Sequence, residues 1–525
     1  MDCRQAIETG NTTLGIELGS TRIKAVLLGA DFTPLASGGY TWENRYENGY
    51  WTYPLEQAEE GVRACYRELK ENVARQYGVT LTTVGAIGVS GMMHGYLAFD
   101  EAGKLLAPFR TWRNTTTEAA SEELSALFGF HIPQRWSVAH LRQAMRNGEA
   151  HVSRISSLMT LAGYIHYRLT GERIVGLDEG SGMFPIDEKT LDYNEEMLAK
   201  FGALAADYPW KLRELLPKVQ PAGTVAGRLT PAGAALLDPQ GDLQPGIPLC
   251  PPEGDGGTGM AATNSVAAGT GNVSAGTSIF AMVVLDKPLS RVYPELDIIM
   301  TPSGKPVAMV HCNNGTSDTN AWVDLFAELL KLMGHEADMG ELYTRLYHKS
   351  LEGATDCGGV TVYNYLSGEH LTGFETGRPM VVRNPEMPFT LADFFRAQLY
   401  STMATLALGL DILKQEQVPL RRLIGHGGLF KTPGVGQKYL AAATNTPVWV
   451  METAGEGGPY GMALLAAYLR EPEGERLEDF LENKVFARTK GSVLEPEAED
   501  AAGFQAYLKR FADGLAVERV ATERL

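Results

Sequence analysis

Apolar and polar positions follow two rhythms in the first third of the chain. The run Leu14–Leu28, LGIELGSTRIKAVLL, has apolar stretches on either side of a Gly-Ser-Thr break, which predicts strand, tight turn and strand. Residues 56–77 place Ala58, Val62, Cys65 and Leu69 at helical spacing and predict an amphipathic helix. Val84–Val89 predicts a short buried strand running into the loop Ser90-Gly91-Met92-Met93-His94-Gly95. Leu158–Leu169 predicts a helix stopped by Thr170-Gly171. Strand and helix signals that alternate in this way predict an α/β domain.

Residues 217–258 are rich in Pro and Gly, and a domain junction is expected near their end. Residues 269–284 then repeat the opening pattern, with Gly276-Thr277-Ser278 in the place of Gly19-Ser20-Thr21, about half a chain later. That weak repeat suggests two related domains. Helices are expected at 320–333 and 391–414, and Leu423–Gly428 reads as a strand entering a Gly-Gly loop. The loop Ala454–Pro459 precedes an apolar helix, Tyr460–Leu469, and the polar last stretch predicts a peripheral helix or tail.

The 525 residues suffice for two large domains or three smaller ones. A net charge of -17 disfavours a nucleic-acid partner, although a local nest of backbone N–H groups can still hold a phosphate. Five scattered cysteines without a C-x-x-C pair predict neither a disulfide framework nor a zinc site. The N-terminus has no apolar signal region, and no run nears the roughly 20 apolar residues of a membrane helix. A cytoplasmic location is therefore expected.

Several short segments carry candidate chemistry. The turns Gly19-Ser20-Thr21 and Gly276-Thr277-Ser278 can offer N–H groups and hydroxyls to a phosphate, or be plain hairpins; no Walker-type P-loop is present. Two matching turns strengthen the phosphate reading. Asp255, in Gly254-Asp255-Gly256-Gly257-Thr258-Gly259, is either a turn residue in a Gly-rich linker or a general base taking a proton from a sugar hydroxyl. Glu17 is either a polar strand end or a carboxylate for Mg²⁺. His94, beside Met93, is either an ordinary hydrogen-bonded loop residue or a substrate contact, and Trp112-Arg113-Asn114 suits a sugar, as an apolar platform beside polar groups. Gly427, Gly428 and Lys431, and separately Gly455-Glu456-Gly457-Gly458, are candidate walls of a nucleotide site.

Taken in order, these segments resemble the FGGY family of carbohydrate kinases, and the loop GVSGMMHG at 88–95 resembles its xylulokinase-like branch. The likeness runs over residues 13–470 and includes GIELGSTRIKA (15–25), YRLTGER (167–173), YNYLSGE (363–369), GHGGLFK (425–431) and AGEGGPYGMALLAAY (454–468). The resemblance implies two actin-like (ribonuclease H-like) domains, with ATP and sugar meeting in a cleft between them. The expected divisions are 12–257 on the sugar and phosphate side, 258–485 on the nucleotide side, and 486–525 as a peripheral tail.

The resemblance further implies Asp255 as general base, with Glu17 and Asp255 as Mg²⁺ ligands. It puts Gly19, Ser20, Thr21, Gly276, Thr277 and Ser278 around the phosphates of ATP. It puts Gly427, Gly428 and Lys431 near the nucleotide, and Met93, His94, Trp112, Arg113 and Asn114 near the sugar. The expected partners are a small-molecule sugar and ATP, without nucleic acid or membrane, and a homodimer is one option for assembly.

Three departures bear on the sugar. Glu17 stands where the family usually has Asp, Met92 where the branch has Gln, and Trp112-Arg113-Asn114 where it has Trp-Asn-Asp. The expected activity is transfer of the γ-phosphoryl group to a primary hydroxyl of a ketose such as xylulose or ribulose. The departures keep open an acid sugar met by Arg113, and a catalytically impaired regulatory protein that binds sugar or nucleotide.

Overall fold

A computed structural model describes residues 2–451 and 457–525, so Ala454, Gly455 and Glu456 of the expected nucleotide loop lie outside the described residues. The chain divides into two compact α/β units. The first comprises residues 1–267, 297–307 and 456–488, and the second 268–296, 308–455 and 489–525. Two excursions of the chain thus join the first unit after the second has begun.

In the first unit, strands Thr13–Leu18 and Arg22–Leu28 pair antiparallel, from Thr13 with Leu28 to Leu18 with Ile23. Thr13–Leu18 also pairs parallel with Ala86–Gly91, and Pro34–Thr41 extends the sheet beyond Arg22–Leu28. Helix Leu55–Tyr77 covers this sheet with the stripe read from the sequence: Ala58, Val62, Cys65 and Leu69 are fully buried. Helix Gly457–Tyr468 packs on Thr13–Leu18, on Ala86–Gly91 and on helix Asp255–Ala262. The helix expected from Leu158 begins at Leu161, because the Thr160 side chain accepts the Gly163 N–H and caps it there.

The second unit repeats the plan. Thr270–Ala275 pairs antiparallel with Ile279–Val284 and parallel with Arg422–His426, which pairs parallel with Val448–Met451. Helix Leu391–Gln415 is buried along most of its length. The polar C-terminal stretch forms helix Ala498–Arg524, which buries Phe504, Tyr507 and Phe511 and stacks Phe511 on Tyr363 at 5.0 Å between ring centroids. The resemblance between the two turns is therefore a resemblance between two sheets: in each, the turn joins the same two antiparallel strands beside a parallel neighbour. Among the described residues, no helix is long and apolar enough to cross a membrane.

Candidate active site

Asp255 is the first residue of helix Asp255–Ala262, directly after the short strand Glu253–Gly254, which pairs parallel with Ser90–Gly91. That pairing sets it beside the loop 92–95, and the Met93 N–H donates to its Oδ1 at 3.2 Å. The carboxylate is open to solvent but ringed by protein. Loss of hydration raises its pKa, opposed by N–H donation from Met93 and from its own turn and by the charge of Arg135.

Behind it lie three buried carboxyls that no motif announced. Asp178 Oδ2 accepts the Gly257 N–H at 2.9 Å, and the Gly254 backbone also bonds this side chain. Glu253 Oε2 accepts the Glu179 N–H at 3.3 Å. Burial pushes Asp178 up to about 7 and raises Glu179 and Glu253 well above the usual range. The glycines around Asp255 follow from this packing. A Cβ on Gly257 would lie 2.7 Å from the Asp178 carboxyl carbon, and one on Gly254 would meet Met93 and, at 2.8 Å, Asp178 Oδ2. The signal available in the sequence was the run Leu177-Asp178-Glu179-Gly180, acidic inside an otherwise apolar stretch.

His94 is buried with φ +71°, a left-handed conformation rarely adopted by a side-chain-bearing residue. Its Nδ1 lies 3.4 Å from the Gly182 carbonyl, and its ring stacks toward Trp136. Burial, then the charge of Arg135, lowers its pKa to about 3, so the ring is neutral. Trp112 is exposed, and the Arg113 guanidinium lies over the Trp51 ring at 4.5 Å. Asn114 is buried: its amide donates to the carbonyls of Trp51 and Thr111 and accepts the Trp51 N–H at 2.8 Å. That amide is committed to holding the strand Tyr50–Thr52.

At the turn Gly19-Ser20-Thr21 every carbonyl is tied back. Gly19 O accepts from the Trp42 indole at 2.7 Å, Ser20 O from the Tyr53 hydroxyl at 2.5 Å, and Thr21 O from the Trp42 N–H at 3.2 Å. The N–H groups of Ser20 and Thr21 have no partner among the described residues. Glu17, at the end of the first strand, is buried with its Oε2 3.6 Å from Lys24 Nζ. Burial raises its pKa, Lys24 opposes that, and the charge of Asp255 adds to the rise, so the two carboxylates share one field.

In the second unit, Gly276 O accepts from the Thr316 N–H and hydroxyl, and Thr277 O from the Gly315 N–H at 2.8 Å. Thr277 and Ser278 N–H groups are again without a partner among the described residues. Gly427 and Gly428 are exposed at the end of the strand beside this turn, and Lys431 is exposed at the end of the short helix Gly428–Lys431. The 313–316 bend is held by buried Glu369 of the YNYLSGE segment, whose Oε2 accepts from Asn313 N at 2.9 Å, Asn314 N at 3.3 Å and Asn314 Nδ2 at 3.2 Å.

Each unit therefore pairs a turn of outward N–H groups with a distinct second feature: a glycine-flanked carboxylate in the first, a Gly-Gly strand end in the second. Comparison with known proteins decides what these belong to. The N-terminal domain model of the FGGY family of carbohydrate kinases matches residues 12–259, and its C-terminal domain model matches 271–470. The chain belongs to this family. It is an ATP-dependent sugar kinase with two actin-like domains.

Relatives within that family differ in the sugar they are named for. A xylulose kinase of Haemophilus influenzae is 22% identical over 519 residues, 95% of this chain and 98% of that one. The crystal structure of xylulose kinase from Rhodospirillum rubrum superposes with a TM-score of 0.79 at 20% identity, covering 98% of this chain and all of that one. That of gluconate kinase from Lactobacillus acidophilus reaches 0.78 at 16% identity, covering 97% and 98%. Such low identities establish the fold of the FGGY kinases and leave the acceptor to be argued from the site.

Proposed function

We propose that this FGGY kinase transfers the γ-phosphoryl group of ATP to a primary hydroxyl of a ketose such as xylulose or ribulose, with Asp255 as general base. The observation that carries the reading is the setting of Asp255. It is solvent-reachable, flanked by glycines that let Met93 and Asp178 pack close beside it, and oriented by the N–H of Met93 in the loop that resembles the xylulokinase sugar loop.

In this mechanism Asp255 accepts the proton of the attacking hydroxyl. The N–H groups of Ser20 and Thr21, and of Thr277 and Ser278, stabilise the charge that develops on the phosphoryl oxygens. Their alignment precedes binding, because the carbonyls of both turns are already held elsewhere. Neutral His94 acts as a hydrogen-bonding partner of the sugar rather than as a charge. Glu17 and Asp255 suit Mg²⁺, which takes one or two carboxylates and keeps several waters, and the buried Oε2 of Glu17 is met only at long range, by Lys24 Nζ at 3.6 Å. Bound there, Mg²⁺ would supply positive charge to the phosphates.

The test is an ADP-release screen over ketopentoses, ketohexoses, heptuloses, polyols and sugar acids, repeated with Asp255→Asn. A ketopentose should give the highest kcat/KM. Asp255→Asn should lower kcat by about 100–10,000-fold while ATP still binds in a calorimetric titration. A best acceptor outside the ketoses would overturn the acceptor, and near-normal turnover in the variant would overturn the base.

A further inference from the structure

A second cation, Arg135, acts on this site where Arg113 does not. Arg135 lies in the turn before helix Ser137–Arg146. Its carbonyl accepts the Gly95 N–H at 3.1 Å, and the Ser137 hydroxyl donates to the Gly95 carbonyl at 2.6 Å. The Arg135 turn and the 92–95 loop are thus fastened together. The electrostatic reach of its guanidinium covers both flanks of the site, since it acts on His94 and on Asp255.

The guanidinium donates one Nη2–H to Asp297 Oδ2, and its other donors have no partner among the described residues. The side chain remains 24% exposed. Asp297 is buried, and its Oδ1 faces His131 Nε2 at 3.3 Å. Burial opposes its ionisation, but Arg135 and His131 outweigh that and keep it ionised. Arg135 is therefore a planar donor whose charge is paired with Asp297, not a bare cation. Asp255 adds negative field near it. An acceptor with a carboxylate would meet that field without a free counter-charge, whereas a hydroxyl oxygen needs only the free N–H groups.

We infer that Arg135, held by Asp297, is a specificity-determining residue that donates hydrogen bonds to hydroxyl oxygens of a neutral sugar, and that Asp297 disfavours sugar acids by occupying the guanidinium in an ion pair. The inference rests on the proposed placement of the sugar beside Asp255 and His94. It moves the recognition of a possible acid group away from Arg113, whose guanidinium is laid on Trp51.

The experiment uses the full chain, the best neutral acceptor from the screen, and gluconate as the acid probe. Arg135→Ala should raise KM for the neutral sugar about 10–100-fold, as expected for a lost charged donor, with kcat within a few-fold and KM for ATP unchanged. Arg135→Lys keeps the ion pair with Asp297 but loses the planar fork, so it should raise the same KM by several-fold while matching the parent in thermal midpoint. Asp297→Asn should shift the gluconate-to-neutral ratio of kcat/KM at least about tenfold toward gluconate.

Sugar KM values within twofold of the parent in Arg135→Lys and Arg135→Ala would overturn the contact. An unchanged ratio in Asp297→Asn, or a parent enzyme that prefers gluconate, would overturn the exclusion. A neutral acceptor that is not a ketose would sink the ketose reading alone, since the Arg135 variants are read on that sugar in the same way.

Discussion

The two Gly-Ser-Thr and Gly-Thr-Ser turns present outward N–H groups on different supports. Both tie their carbonyls inward and leave N–H groups outward. In the first unit two of the three ties are aromatic: the Trp42 indole and the Tyr53 hydroxyl hold Gly19 and Ser20, and the two rings stack at 4.3 Å between centroids. In the second the ties are backbone: Gly315 and Thr316 hold Thr277 and Gly276. Their bend depends in turn on Asn364, which donates to the Asn314 and Gly315 carbonyls, and on buried Glu369. An aromatic tie is indifferent to pH between 5 and 8. A tie that ends on a buried carboxyl is not, and that difference is the lesson of the pair.

The largest expected effect comes from Gly315→Ala. A Cβ there would overlap the Gly276 carbonyl and approach the Thr277 carbonyl to 2.9 Å. Those atoms are backbone, so the turn itself must shift; overpacking of this kind costs about 1–3 kcal/mol. KM for ATP should rise about 10–100-fold while KM for the sugar stays within twofold. Equal losses for both ligands would mean that the second unit's turn is not a separate phosphate element.

The next effect belongs to Glu369. Burial raises its pKa to about 7, against the donors from Asn314 and Asn313. The folded protein therefore holds this proton at pH values where the unfolded chain has released it. The stability it contributes is fully present below about pH 4.5 and is lost as pH rises through about 7, at up to about 1.4 kcal/mol per unit. Glu369→Gln cannot release a proton, and its amide oxygen is a weaker acceptor than the carboxylate oxygen that now takes all three donors. The parent should lose urea-midpoint stability between pH 5 and 8 more steeply than the variant, and KM for ATP in the variant should rise about 5–30-fold. Parallel stability curves would remove the pH argument and leave only the geometric one.

How far the sequence could be read follows the same division between local and distant causes. Both turns and helices 55–77 and 391–415 were legible because spacing within a few residues determines them. Helix Asp255–Ala262 was not: four of its first five residues are glycine or a poor helix former, at a cost of up to about 1 kcal/mol for each glycine. It forms because Asp178, 79 positions before Gly257, accepts its first N–H groups, and because helix Gly457–Tyr468 packs on it. Arg135 and Asp297 are 162 positions apart, so neither carried a signal alone. Asn114 read as a polar group free for a sugar, but the strand at Trp51 takes up its amide.

The smallest effect should come from Trp42→Phe, and it is the sharpest control on the comparison. Phenylalanine keeps an aromatic ring against Tyr53 and removes only the indole N–H that Gly19 O accepts. The Thr21 carbonyl keeps its bond, because its donor is the backbone N–H of residue 42, and Ser20 O keeps Tyr53. One hydrogen bond of about 0.5–1.5 kcal/mol is lost from a turn with two ties remaining, so KM for ATP should rise only about 2–10-fold. Its ratio to the parent should stay constant from pH 5 to 8, because no titrating group supports this turn's carbonyls. A ratio that drifts with pH in Trp42→Phe would tie the first turn to the buried acids beneath Asp255. The contrast between an aromatic and an acidic support would then give way to a single charge-dependent one.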